Sequence, residues 1–398
     1  MKKDLLFLVH RIPYPPNKGD KIRSYHFLKY LATEFNVFLG TFIDDSNDRQ
    51  YTDKVDQLCT ETFYQDLNPS LAKIKSLQGL LTGEALSLPY YQSSAMQSWV
   101  DNAIESHNIK KVLIFSSVMA KFINAAHDVD MIVDFVDVDS DKWRQYAEKK
   151  QGIVRWIYQR ESKYLLNYEQ KLAEKAKRSL FVSEQEAALF KQLSPSATTK
   201  IDHINNGVDT EFFSPDLSFP SPYLNGEEAL VFTGAMDYWA NIDAVCWFGK
   251  DIFPQLEKHH PRLKFYIVGG KPSKEVQALA ANPNIIVTGR VDDVRPYVAH
   301  AKLAVAPLRI ARGIQNKVLE AMSMGKPIIA TTAAMEGIPY HLSLDIFVAD
   351  ETSTLVKQVN DWLTDHPAPL LSSNNREFVK NQFSWEQNIN RLATLLQE

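Results

Sequence analysis

Two doubly wound α/β units, each built on a parallel sheet, are what this sequence predicts. Three observations carry the prediction. Strand-length apolar runs alternate with longer helical stretches along both halves of the chain. Several of those runs are apolar at every position, as strands covered on both faces are. A proline- and serine-rich break, 214–225, falls between the halves. The length of 398 residues suits two units with a core each, a domain holding about 100–200 residues.

In chain order, the strands of the first half are expected at 4–9, 37–42, 112–115, 131–136, 179–182 and 201–204. The first follows Lys2 and Lys3 and meets Arg11 at once. It is too short for a signal sequence or a membrane span, so it reads as a buried strand. The loop and helix start at 15–23 come directly after it, where open α/β sheets bind ligands. There Gly19 would let the backbone approach a cleft, with Asp20 beside it. Lys18, Lys21 and Arg23 would meet an anionic acceptor or a phosphate; a solvated basic helix start explains each lysine equally well.

Asp137, Asp139 and Asp141 alternate at a later strand end, followed by Lys142. They lack the spacing of a calcium loop. Asp139, Ser140 and Lys142 are expected to meet acceptor hydroxyls, with a helix N-cap as the competing role for Asp139 or Ser140. Residues 141–177 form a long helical stretch dense in aromatics. Packing on its own domain accounts for most of them; an acceptor-facing or membrane-facing surface is the alternative.

The strands of the second half are expected at 229–233, 263–268, 285–288, 303–306, 327–331 and 345–348. Glycines close the first two, Gly234 and Gly269-Gly270, and would clear space at strand ends. A break at 366–369 precedes a closing amphipathic helix, 376–397, with Trp385, Ile389, Leu392 and Leu395 on its apolar face. The expected boundaries are 1–212, 226–375 and a final helix 376–398.

Hydrophobic residues make up 45% and charged residues 23%, ordinary for a soluble globular chain. The net charge of -4 provides no overall basic field for nucleic acid. Cys59 and Cys246 stand too far apart for a metal motif and read as small buried hydrophobes in a reducing compartment. No apolar run nears the roughly 18 residues of a span. The expected location is the cytoplasm, with peripheral contact at the inner membrane left open.

The stretch richest in chemistry is 311–322, Ala-Arg-Gly-Ile-Gln-Asn-Lys-Val-Leu-Glu-Ala-Met. It leaves a strand, turns at Gly313 and opens a helix. The first amides of a helix lack internal partners. With the helix dipole, the backbone at Gly313, Ile314, Gln315 and Asn316 makes a ready anion site. Lys317 in the first turn suits a phosphate. Glu320, on the same face, suits a ribose diol. The bland alternative is a surface Lys317–Glu320 pair worth only about 0.3 kcal/mol.

These residues resemble the signature of glycosyltransferase family 4, the retaining group-1 transferases of GT-B fold. The matching stretch is 317–330, Lys-Val-Leu-Glu-Ala-Met-Ser-Met-Gly-Lys-Pro-Ile-Ile-Ala. Val182-Ser183-Glu184, Asn206-Gly207-Val208-Asp209, 285–291 and Phe383-Ser384-Trp385 agree with other family segments in order. Stretches 10–23, 134–143 and 309–317 look more narrowly like the sugar transferases of exosortase and exopolysaccharide clusters. The resemblance implies two facing Rossmann-like domains with a cleft and a final helix crossing back to the first. It implies a nucleoside-diphosphate sugar as donor, a glycan or lipid-linked hydroxyl acceptor, retention, and neither metal nor cofactor. It places the nucleotide base against 285–291, including Arg290 and Val291, and makes Lys317, Glu320 and Arg312 the residues nearest the chemistry.

Two features depart from the family. Arg312 stands where many members have the first of two glutamates eight positions apart. The loop 234–241 has no cation where many members have two, which leaves Arg309, Arg312 and, foremost, Lys317 to neutralise a diphosphate. A nucleotide-sugar 2-epimerase of the same fold and a non-catalytic nucleotide-sugar binder are the alternatives. A nicotinamide-dependent oxidoreductase is disfavoured, because no G-x-G-x-x-G follows the first strand.

Overall fold

A computed structural model describes residues 2–16, 19–148, 150–311, 313–366 and 370–397. The chain divides into two compact units, Met1–Asn205 with Ile389–Glu398, and Asn206–Asn388. Unit 1 has seven strands, β1 Lys3–Val9, β2 Phe35–Ile43, β3 Glu61–Asp66, β4 Lys111–Phe115, β5 Asp130–Val136, β6 Arg178–Phe181 and β7 Ile201–His203. They lie in the order β3-β2-β1-β4-β5-β6-β7, and every pairing is parallel. Unit 2 has six, β8 Glu228–Thr233, β9 Leu263–Val268, β10 Ile285–Gly289, β11 Leu303–Ala306, β12 Ile328–Ala330 and β13 Ile346–Val348. Their order is β10-β9-β8-β11-β12-β13, again all parallel.

Parallel strands need crossovers that cover both faces. The all-apolar runs answer that requirement: Leu5 through Val9 are fully buried, and so are Leu230, Phe232, Phe265 and Ile267. All twelve expected strands form. The extra one, β3, is an edge strand reading Glu-Thr-Phe-Tyr-Gln-Asp with no position fully buried. An edge strand half covered by its neighbours needs no apolar run, so none marks it.

The helices include α1 Gly19–Glu34, α2 Pro69–Ser76, α3 Asp139–Glu148, α4 Gly152–Lys175, α5 Trp239–Trp247, α6 Asn316–Ser323, α7 Ser373–Phe383 and α8 Trp385–Gln397. The long helical stretch of the first half is thus two helices. Trp143 of α3 packs on Tyr158 of α4, with ring centroids 5.0 Å apart.

The closing helix is also two. Val379 and Phe383 of α7 join the core of unit 2, and only 389–398 group with unit 1. The expected linker belongs to unit 2 as well: Phe219 and Tyr223 pack on its core, and the Tyr223 hydroxyl donates to the Tyr297 carbonyl at 2.5 Å. Both cysteines are unpaired and only half-buried. Among the described residues no helix is long and apolar enough to cross a membrane.

Candidate functional site

In unit 2 the strand order reverses direction between β8 and β11, the place where open α/β sheets bind ligands at their carboxyl ends. The loops leaving β8, β9 and β10 are laced together there. Gly234 N–H donates to Val268 O at 3.0 Å, Met236 N–H to Gly270 O at 2.9 Å, and Gly269 N–H to Gly289 O at 3.1 Å. A Cβ on Gly269 would sit 1.7 Å from the Gly234 carbonyl oxygen. One on Gly234 would sit 2.8 Å from Asn241 Nδ2 and 3.4 Å from Lys317 Nζ. Close contacts and positive φ, 156° at Gly234 and 159° at Gly269, together demand glycine at both positions.

From β11 the chain reaches α6 through a turn at Gly313, whose φ of 66° lies in the left-handed region that glycine enters at little cost. Gln315 caps the helix, and its Nε2 donates to Gly313 O at 3.0 Å. The N–H groups of Val318 and Leu319 both donate to Gln315 O. The amides ahead of them, at Asn316 and Lys317, are those a helix leaves without internal acceptors. The dipole of α6 adds positive potential at that end. The Ile314 side chain belongs to the core, leaving only its backbone for a ligand. Asn316 Oδ1 is buried without a hydrogen-bond partner, a cost of about 1–3 kcal/mol that a donor would remove.

Lys317 does not pair with Glu320 on the surface. Its ammonium donates to Asn241 Oδ1 at 2.5 Å and lies 4.4 Å from the centre of the Phe232 ring. Asn241 is itself held by a bond from Nδ2 to Ala235 O at 2.9 Å. Beneath Lys317 is a cavity of about 10 Å³ with walls that include Val231, Val305 and Ile328. Burial lowers the Lys317 amine to about 7, with the charge of Glu320 opposing. Burial likewise raises Glu320 to about 7, with Lys317 opposing. Asn241 has no mark in the sequence beyond its place early in the helix after β8; its role emerges only once Lys317 folds across to it.

The other expected cations stand differently. Arg309 is held by Asp243, with Nη2–Oδ1 at 2.5 Å and Nε–Oδ2 at 3.0 Å, and covers the Trp247 ring at 5.2 Å. To serve a diphosphate at Gly313 this half-exposed guanidinium would have to leave Asp243. Arg312 lies outside the described residues. Arg290 is exposed just after β10, beside Gly270, where an added Cβ would approach its own Cβ to 3.6 Å. Val291 packs against the core.

In unit 1 several expected acceptor contacts prove structural. Lys21 is buried, with Nζ 2.5 Å from Asp48 Oδ2. Arg23 is fully buried, donating to Asp134 Oδ2 and Ile204 O, both at 2.6 Å. Neither charge can reach a ligand. Ser140 is buried too, its hydroxyl donating to Glu169 Oε2 at 2.5 Å, so it is lost as an acceptor contact. Burial pushes Glu169 up to about 8, with Asp139 adding to the shift and the bonds from Ser140 opposing it. A Cβ on Gly19 would meet nothing within 4 Å, so no close approach requires that glycine.

Asp20, Asp139 and Lys142 remain partly open. Burial would raise the Asp20 carboxyl, but the hydrogen bond and charge of His10 and the guanidinium of Arg11, at 2.7 Å, hold it below the usual carboxylate range. Lys142 sits between Asp137 at 2.6 Å and Asp139 at 3.1 Å. Nearby, Val136 at the end of β5 has φ 70°, a costly conformation for a β-branched residue and one that the sequence did not announce.

Residues 227–365 match the family model described as glycosyl transferases group 1, a span that contains the whole cluster from Gly234 to Glu320. No curated protein matches the chain. Among solved structures it is similar to Anabaena HepE in complex with UDP and glucose, at TM-score 0.68 and 15% identity over 99% of each chain. It is also similar to sucrose-phosphate synthase from Thermosynechococcus elongatus, at TM-score 0.71 and 16% identity over 100% of this chain and 98% of that one. A third is WaaG, a glycosyltransferase involved in lipopolysaccharide biosynthesis, at TM-score 0.68 and 15% identity over 98% and 99%. At these identities the likeness is one of fold: two Rossmann-like domains with parallel sheets, matching GT-B structures.

Proposed function

We propose that this chain is a glycosyltransferase that moves a sugar from a nucleoside-diphosphate sugar to a hydroxyl acceptor, with retention at the anomeric carbon and without a metal ion. The observation that carries the reading is the meeting of Lys317, Asn241 and the glycine loops at the unit 2 switch point, beside the open end of α6. The group-1 match over 227–365 supports it, as does the UDP bound by HepE.

In this reading the diphosphate lies on the amides at 313–317 and on Lys317, while Glu320 takes the ribose hydroxyls. The bond from the anomeric carbon to the diphosphate oxygen breaks, and its electron pair passes to the phosphoryl group. Fixed donors aimed at that oxygen are the main electrostatic aid to such a step. The acceptor oxygen bonds to the anomeric carbon, and its proton passes to the departing diphosphate. Asp20, Asp139 and Lys142 remain candidates for acceptor contacts. The acceptor class proposed is a glycan or lipid-linked intermediate of bacterial exopolysaccharide synthesis, made in the cytoplasm or at the cytoplasmic face of the inner membrane.

The test is incubation with a panel of nucleotide sugars, with and without lipid-linked acceptors, following nucleoside diphosphate release. Acceptor-dependent release, unchanged by EDTA, is expected. Acceptor-independent interconversion of the sugar would point to an epimerase, and binding without release to a non-catalytic homologue.

A further inference from the structure

Unit 1 exposes large apolar side chains on two segments that meet. Helix α2 and the single helical turn Gly79–Thr82 after it present Leu71, Ile74 and Leu81 to solvent, the last two 66% and 91% exposed. The start of α4 presents Ile153 and Trp156, 68% and 53% exposed. Arg160, one turn beyond Trp156, donates to Gly79 O at 2.6 Å and to Glu84 O at 3.0 Å. Its guanidinium lies 4.2 Å from the centre of the Tyr164 ring, and Tyr164 comes within 3.9 Å of a Cβ built on Gly83. Positions 156, 160 and 164 share one helix face. Trp156 therefore extends the line along which α4 touches the leucine-rich turn.

Charge selects the partner. The chain carries a net charge of -4, yet residues 67–84 and 150–160 hold five basic residues and a single acidic one, Glu84. Lys73, Lys75, Lys150 and Arg155 stand among the apolar side chains and are exposed with them. Long basic side chains lay their stems along apolar surface and keep the charge in water. Leucine and isoleucine to enter the acyl boundary, tryptophan for the headgroup level and lysines for phosphate are the composition of an interfacial membrane contact. Contiguous apolar patches of this kind are uncommon on monomeric proteins without a partner. A second copy docking through the same face would set these basic side chains against one another.

We propose that the face formed by α2, the turn Gly79–Thr82 and the start of α4 docks this protein on an anionic lipid bilayer. The proposal deepens the lipid-linked-acceptor reading and rests on it for its biological sense. Its test needs no donor, acceptor or turnover, so the two fail separately.

The full chain is floated with phosphatidylcholine vesicles and with mixed phosphatidylcholine–phosphatidylglycerol vesicles. Binding to the anionic vesicles alone is expected, weakening as salt rises because the attraction is screened. Each basic residue near such a surface strengthens binding about fivefold, so Lys73→Gln with Lys75→Gln should lower it by more than about tenfold. Leu81→Glu and Trp156→Glu should each abolish measurable flotation. All four positions are exposed, so circular dichroism should match the parent, and Lys357→Gln on unit 2 should bind like the parent. No flotation with anionic vesicles overturns the proposal, as does flotation that none of these changes reduces. Dimerisation in solution abolished by Leu81→Glu overturns it too, by assigning the face to a second copy.

Discussion

At the residue scale, the behaviour of Lys317 decides most. Its amine, lowered to about 7 by burial, is increasingly neutral in the free protein above that pH. A bound diphosphate favours the ammonium, so nucleotide binding takes up a proton in this range. UDP affinity should therefore fall as pH rises above about 7, by up to about tenfold per pH unit. Calorimetry in buffers of different ionisation heat reads the proton directly; release of protons on binding contradicts the assignment. Lys317→Met should weaken UDP binding by about 100-fold and flatten that pH dependence. Near pH 6 it should also raise folding stability by about 1–2 kcal/mol, because it removes a poorly solvated charge. Glu320→Ala should weaken nucleotide-sugar binding severely, and near-normal affinity would remove its ribose role. Lys317 and Glu320 were legible in the sequence because a strand, a glycine and a helix start frame them. Asn241 was not, since its bond to Lys317 spans 76 positions. Nor was the burial of Lys21 and Arg23, whose carboxylate partners stand 27 and 111 positions away.

At the scale of elements, the site consists of loops that touch and one helix end. Gly269→Ala puts a methyl carbon 1.7 Å from the Gly234 carbonyl oxygen and forces two loops apart. It should cost about 2–3 kcal/mol of stability in urea unfolding and lower donor affinity with it. Unchanged values for both would contradict the close contact between the loops. Strands whose two faces are covered could be read directly, since burial leaves few polar positions in them. Edge strand β3, with Phe63 and Tyr64 only half-buried, could not. The break between α3 and α4 at 150–151 and that between α7 and α8 at Ser384 leave no mark in the sequence, because helical periodicity continues on both sides of each. The gap in the patterning at α2 and the start of α4, apolar yet uncovered, became meaningful only when exposure was known.

For the whole molecule, composition and the order of strands and helices were enough to announce two parallel-sheet units. They did not fix the boundaries, because 206–225 packs on unit 2 and only 389–398 returns to unit 1. A ligand that binds the native state at 100 times its Kd should stabilise it by about 2.7 kcal/mol, so UDP should raise the unfolding midpoint and inorganic sulfate much less. Equal shifts would indicate an anion site with no nucleotide preference. The position of the diphosphate is the most direct test. In a crystal structure of the full chain with UDP, the phosphoryl oxygens should accept hydrogen bonds from the amides at 313–317 and from Lys317 Nζ, and the ribose should lie on Glu320. A nucleotide bound elsewhere, with Lys317 still held by Asn241 alone, would contradict it.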